Sequence, residues 1–206
     1  MKNIIILIGI CLMVSCKPET KENNSTTAKN ETKQEVATTQ KQSADYSSLF
    51  NNYSCDVSIA VLAKILKIPV SDIRVLESNS LNECFFKIKG FGEGHDNTGT
   101  TLRFMPVPSS KEQIKKEIAN LLKDKAELPS GVLMGRDILL ADTGDCYIAL
   151  QPRRGMVSIL NENYNSFIVI TYQTKASVQG RTEEQHDLLK LKAIDLANYL
   201  VKTHKK

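Results

Sequence analysis

The chain has 206 residues, of which 41% are hydrophobic and 24% are charged, and it contains no tryptophan. This composition excludes collagen, coiled coils and small disulfide scaffolds, and it fits one globular domain with additional segments. The 27 Lys and Arg residues outnumber the 23 Asp and Glu residues by only four. Such a small and evenly spread excess does not predict a nucleic-acid partner.

The first sixteen residues have the pattern of a secretory signal peptide. Lys2 precedes an apolar run over residues 4–14, which is followed by Ser15 and Cys16. The run has about half of the roughly 20 residues that a transmembrane helix needs, so we expect it to be cleaved rather than retained. The sequence therefore predicts a signal peptide over residues 1–15.

The cleavage site resembles the lipobox of bacterial lipoproteins, whose cysteine receives a diacylglyceryl thioether and becomes the new N-terminus. Here Cys16 stands at that position. Three positions before it, where the family usually has leucine, the sequence has Met13. The resemblance implies further acylation of Cys16, and two or three chains, palmitate among them, would anchor the protein firmly in a membrane. An ordinary secretory peptide with an incidental cysteine is the alternative.

The residues after Cys16 bear on location. Lys17, rather than the aspartate that retains some lipoproteins in the inner membrane, follows the cysteine, and a short Lys and acidic patch of a type found in surface-directed lipoproteins begins there. The resemblance implies the cell envelope and favours the outer membrane over the inner, with the domain facing the periplasm or the exterior.

A polar linker is predicted over residues 16–45. Between residues 17 and 44 five lysines balance four glutamates, and Val36 and three alanines are the only hydrophobic residues. Such a segment cannot form a core, so we expect a flexible coil with a reach of roughly 30 Å. Its length either lifts the domain off the membrane or has no function beyond solubility.

One globular domain is predicted over residues 46–206. A helix capped by Ser58 comes first, and strands over residues 84–89 and 101–107 then form a hairpin. A capping box begins a second helix, either at Ser109 with Glu112 or at Ser110 with Gln113, and one at Thr182 and Gln185 begins the last helix. Between those helices, turn residues separate the apolar runs of an antiparallel meander, 138–141, 146–151, 156–160 and 167–172.

We therefore expect an α+β fold, with helices packed on an antiparallel sheet of about five strands in the order α-β-β-α-β-β-β-α. Residues 50–203 also resemble small envelope lipoproteins of unknown function that open with a Cys-Asp-Leu-Leu type segment. The matching segments here are Cys55-Asp56-Val57-Ser58, Cys84 in the next strand, and Gly144-Asp145-Cys146-Tyr147. This family has no established common activity, so the resemblance bears on the fold.

Three cysteines remain in the predicted domain. In an oxidising compartment Cys55 and Cys84 could form a disulfide, with a reduced, buried pair as the alternative. Cys146 alternates with apolar residues and is predicted to be a buried structural thiol. Its functional alternative is an envelope thiol enzyme in which His95 serves as the base.

The loop over residues 90–99 holds four of the ten glycines. Glu93, His95 and Asp96 could bind a cation or a small ligand there, although the spacing fits neither an EF-hand nor a phosphate loop. A mobile hairpin tip is the alternative. Arg153 and Arg154 form a solvated turn that could bind an anion.

The sequence shows no group of residues that would bring together a catalytic acid, a base and a nucleophile, and no cluster of metal ligands. No cofactor is expected. We therefore expect a non-enzymatic binding or accessory module. Its partners would be the membrane, through the N-terminal lipid, and a protein or another component of the envelope.

Overall fold

A computed structural model describes residues 44–78, 82–93, 99–128 and 135–206. The predicted signal peptide and residues 16–43 of the predicted linker lie outside these ranges. The described residues form an α+β fold with helices α1 Ser47–Phe50, α2 Ile59–Leu66, α3 Lys111–Glu127 and α4 Glu183–His204. The strands are β1 Ile73–Val75, β2 Cys84–Ile88, β3 Thr100–Pro108, β4 Asp137–Leu140, β5 Tyr147–Gln151, β6 Met156–Leu160 and β7 Ser166–Thr171.

The seven strands form one open antiparallel sheet in the spatial order β1-β2-β3-β7-β6-β5-β4. The predicted hairpin is β2 and β3, and the predicted meander is β4 to β7. The hairpin and the meander join where β3 pairs with β7, from Arg103 opposite Thr171 to Pro108 opposite Ser166. The α+β class and the antiparallel sheet are thus confirmed.

The predicted number of about five strands is wrong, and so is the predicted order. The observed order is α-α-β-β-β-α-β-β-β-β-α. Helix α1 and strand β1 have only four and three residues, too few for a periodic pattern to be recognised. All four apolar runs between α3 and α4 form strands, whereas the predicted order has three strands there.

The predicted helix starts are confirmed. Ser58 accepts a hydrogen bond from the amide of Val61, and complete capping boxes begin α3 and α4. Helix α2 ends at Leu66, and its C-cap residue Lys67 has a left-handed conformation. These caps satisfy amide groups that have no partner within the helix.

The helices cover the two faces of the sheet unequally. One face packs against α1, α2 and α4 and holds the larger hydrophobic core. Among the described helices, only α3 packs against the other face, through Ile114, Ile118 and Leu121. Because α3 contacts mainly β4 and β5, the neighbouring part of this face remains available for a groove.

The domain begins and finishes at the same end, which we call the basal end. Asp45 and Lys206 exchange two backbone hydrogen bonds, with N to O distances of 3.2 and 3.0 Å. Helix α4 runs 22 residues from the opposite, distal end, a length of about 33 Å. The turn that holds Arg153 and Arg154 lies at the distal end, because it follows the final residue of β5 and contacts the start of α4 through Pro152 and His186.

Candidate functional site

The disulfide between Cys55 and Cys84 is confirmed. It joins the segment before α2 to the first residue of β2. The hydroxyl of Tyr53 lies 3.1 Å from the Cys84 sulfur, in the core. The bond therefore fastens the segment before α2 to the sheet. The alternative of a reduced pair is wrong.

Cys146 is a buried free thiol. It shares the core face with Ile148 and Leu150, as the alternating pattern predicts. Burial raises the pKa of Cys146 to about 11, whereas a nucleophilic cysteine needs a lowered pKa. His95, the predicted base, lies outside the described residues, so the pairing of these two residues stays a prediction.

The segment beside Cys146 holds the basal end together. The Asp145 carboxylate accepts hydrogen bonds from Tyr46 and from Thr143, the latter at 2.6 Å, and it lies 3.0 Å from the ammonium of Lys205. Burial raises the pKa of Asp145, but these hydrogen bonds outweigh it and the pKa lies below its usual range. Asp145 therefore joins both termini of the domain to the turn before β5.

The described part of the loop 90–99 is fixed to the start of α4. Glu93 and Gln179 exchange backbone hydrogen bonds of 2.9 and 2.8 Å. The guanidinium of Arg181 is 4% exposed and donates to the carbonyl of Phe91 at 2.8 Å and the hydroxyl of Thr100 at 2.7 Å.

The cation-binding prediction for this loop remains untested. His95 and Asp96 lie outside the described residues. Of the three predicted ligands, only Glu93 can be placed. Within the described ranges, no group of three His, Cys, Asp or Glu residues could hold a metal ion.

His204 lies between a serine and an aspartate at the basal end. Its Nδ1 atom is 3.0 Å from the hydroxyl of Ser48, and its Nε2 atom is 3.3 Å from a carboxylate oxygen of Asp56. The Nε2 atom nevertheless forms no hydrogen bond with another residue that the structure describes. Asp56 therefore does not orient the ring as the acid of a catalytic triad does.

A groove of about 370 Å³ lies between α3 and the sheet, and we call it the α3 groove. Its walls and floor combine apolar and uncharged polar side chains with one glutamate and one arginine. They are Ser109, Gln113, Ile114, Glu117, Ala149, Gln151, Arg154, Met156, Ser158, Leu160 and Phe167. This volume is in the range of small-ligand sites.

Ser158 is a polar residue in the apolar floor. It lies between Ala149 and Val169 on the neighbouring strands and is only 4% exposed. Its hydroxyl forms no hydrogen bond with another described residue. Because Ser158 lines the groove, a molecule bound there could exchange a hydrogen bond with this hydroxyl.

The distal end of the α3 groove is cationic. It adjoins a second cavity of about 290 Å³, lined by Glu117, Arg136, Gln151, Arg153 and Arg154. Arg136 forms an ion pair with Glu117, and its buried Nε atom has no partner within the described ranges. Arg153 and Arg154 are exposed and form no ion pair with other described residues.

Comparisons with protein-family models, with curated proteins and with solved structures found no match to this chain. Of the helices in the described ranges, none has the length and apolarity needed to cross a bilayer.

The sequence predicted the arginine turn but not the α3 groove. Ser158 gave one recognisable signal, because it is the only polar residue in the run over residues 156–160. The contributions of Gln113 and Phe167 depend on how α3 crosses the sheet, which no local pattern shows.

Proposed function

We propose that this protein is a non-enzymatic binding module of the bacterial cell envelope, anchored by lipid at Cys16, and that it holds an envelope protein in the α3 groove. The observation that carries the proposal is the groove itself: its apolar floor holds Ser158 and lies next to Arg153 and Arg154, which form no ion pair with other described residues. The buried thiol of Cys146, with its raised pKa, supports binding rather than thiol catalysis.

The position of the termini agrees with a tethered role. Residues 44 and 45 enter the domain at the basal end, whereas the cationic part of the groove lies at the distal end. The arginines therefore lie at the end of the domain opposite the point where the chain enters it. The outer membrane is the proposed location, with the domain facing the periplasm or the exterior.

Site-directed photo-crosslinking in the cells that make the protein tests this function. We would replace Phe167, in the groove, with p-azidophenylalanine, and make the same change at Tyr199 as a control. Both are half-buried aromatic residues, but Tyr199 packs beside the larger core on the opposite face.

We expect one defined crosslinked envelope protein from position 167 and none from position 199. Replacing Arg153 and Arg154 with glutamate should abolish that crosslink. Equal labelling from both positions, or none from position 167, would contradict the proposal.

A further inference from the structure

We infer that the occupant of the α3 groove is an extended peptide segment in which an acidic residue stands beside an apolar one. This inference rests on the proposed function and names the chemistry of the partner at the same site.

The acidic residue follows from the charges at the distal end. Arg136, Arg153 and Arg154 face one carboxylate, Glu117, which pairs with Arg136. Two guanidinium groups and the buried Nε atom of Arg136 are left without a partner among the described residues. Arginine groups of this kind bind carboxylates through charge-assisted hydrogen bonds.

The apolar residue follows from the floor of the groove. Met156, Leu160 and Phe167 line it together with Ile114 of α3. The two cavities share Glu117, Gln151 and Arg154, so they adjoin one another. An apolar side chain over Phe167 would therefore lie next to an acidic side chain at the arginines.

The hydrogen-bonding groups favour a peptide over a fatty acid. An alkyl chain would cover the Ser158 hydroxyl without giving it a partner, at a cost in affinity. Each non-proline residue of a peptide instead brings one N–H and one C=O group. The hydroxyl of Ser158 and the side-chain amide of Gln151 lie along the groove where such groups would pass.

Selection from a phage-displayed library of random heptapeptides tests the inference. The full-length protein would be held in lipid nanodiscs, and the affinity of the most enriched peptide would then be measured with the wild type and three variants. Arg153→Glu/Arg154→Glu removes the cationic end, and Lys115→Glu/Lys116→Glu makes the same change in charge at exposed residues that line neither cavity. Ser158→Ala removes the floor hydroxyl.

We expect enrichment of peptides with Asp or Glu beside a large apolar residue. The Arg153→Glu/Arg154→Glu variant should bind at least tenfold more weakly, Ser158→Ala about three- to tenfold more weakly, and Lys115→Glu/Lys116→Glu within twofold of the wild type. Circular dichroism would show that each variant is folded.

Three outcomes would overturn the inference. They are no enriched sequence, enrichment without an acidic residue, and palmitate binding that depends on the arginines but not on Ser158. If position 167 still crosslinks in cells while the library yields nothing, the binding function stands and the peptide assignment fails. If neither experiment succeeds, both fail.

Discussion

Arg181 shows how a buried charge is held by neutral groups. Its guanidinium donates to the carbonyls of Phe91, Tyr172 and Gln173 and to the hydroxyl of Thr100. Burial lowers the pKa of Arg181 to about 10, so the side chain is still charged at neutral pH. One residue thereby fixes the base of the loop 90–99 to the segment before α4.

Replacing Arg181 with methionine should destabilise the protein by about 2–4 kcal/mol, because several buried carbonyls would lose their donor. Urea unfolding measures this change. Amide hydrogen exchange at Glu93 and Gln179 should also accelerate, since their bridge depends on the same contact. The exposed Arg74 is the control: Arg74→Met should change neither quantity, and unchanged exchange in Arg181→Met would contradict the assigned role.

Cys146 predicts how stability depends on pH in the alkaline range. Its pKa rises from 9.0 to about 11 on folding because of burial. Between pH 9 and 11 the unfolded chain releases the thiol proton and the folded chain retains it, so the free energy of unfolding falls as pH rises. Two pH units correspond to at most about 3 kcal/mol.

Denaturant unfolding at pH 8, 9, 10 and 11 would measure this loss. In Cys146→Ala the decline should become shallower, and the remainder would come from buried tyrosines such as Tyr53, whose pKa burial also raises. Identical slopes in the two proteins would show that the thiol does not contribute. At pH 7.5, iodoacetamide should leave Cys146 unlabelled in the folded protein and label it once the protein is unfolded.

At the scale of elements, the disulfide compensates for the small size of β1. This three-residue strand lies inside the segment that the bond closes, between Cys55 and Cys84, which are separated by 29 residues. It could not be stable alone. Closing this part of the chain restricts the unfolded state and keeps β1 beside the sheet.

The double variant Cys55→Ala/Cys84→Ala should lose about 3–4 kcal/mol of stability, as expected for a loop of this length. Reversible unfolding in urea provides the measurement. Dithiothreitol should lower the stability of the wild type by a similar amount and leave the double variant unchanged. A wild type that is insensitive to the reductant would refute a stabilising role.

The sequence predicted those elements that have a local signal. Apolar runs between turn residues indicated the strands from Cys84 onward, and Ser58 and the two capping boxes marked the three longer helices. Strand β1 was missed because pairing with β2, rather than its own three residues, maintains it. The groove could not be predicted because it depends on the crossing of α3 over strands distant in sequence.

At the scale of the whole molecule, the proposed anchor divides the protein into a membrane-bound end and a binding domain. Replacing Cys16 with alanine should abolish labelling by radioactive palmitate and move the protein from the membrane fraction to the soluble fraction. Cys146→Ala should change neither result. Membrane retention and labelling in Cys16→Ala would mean that the lipid is elsewhere or that another contact holds the protein.

The backbone pairing of Asp45 with Lys206 also makes the domain suitable for circular permutation. A short peptide could connect these two positions, and new termini could be opened in the exposed turn at Glu162. Such a permuted chain should keep every strand pair, because neither change interrupts the sheet. The same proximity would allow the domain to be inserted whole into a surface loop of a host protein, with both junctions side by side.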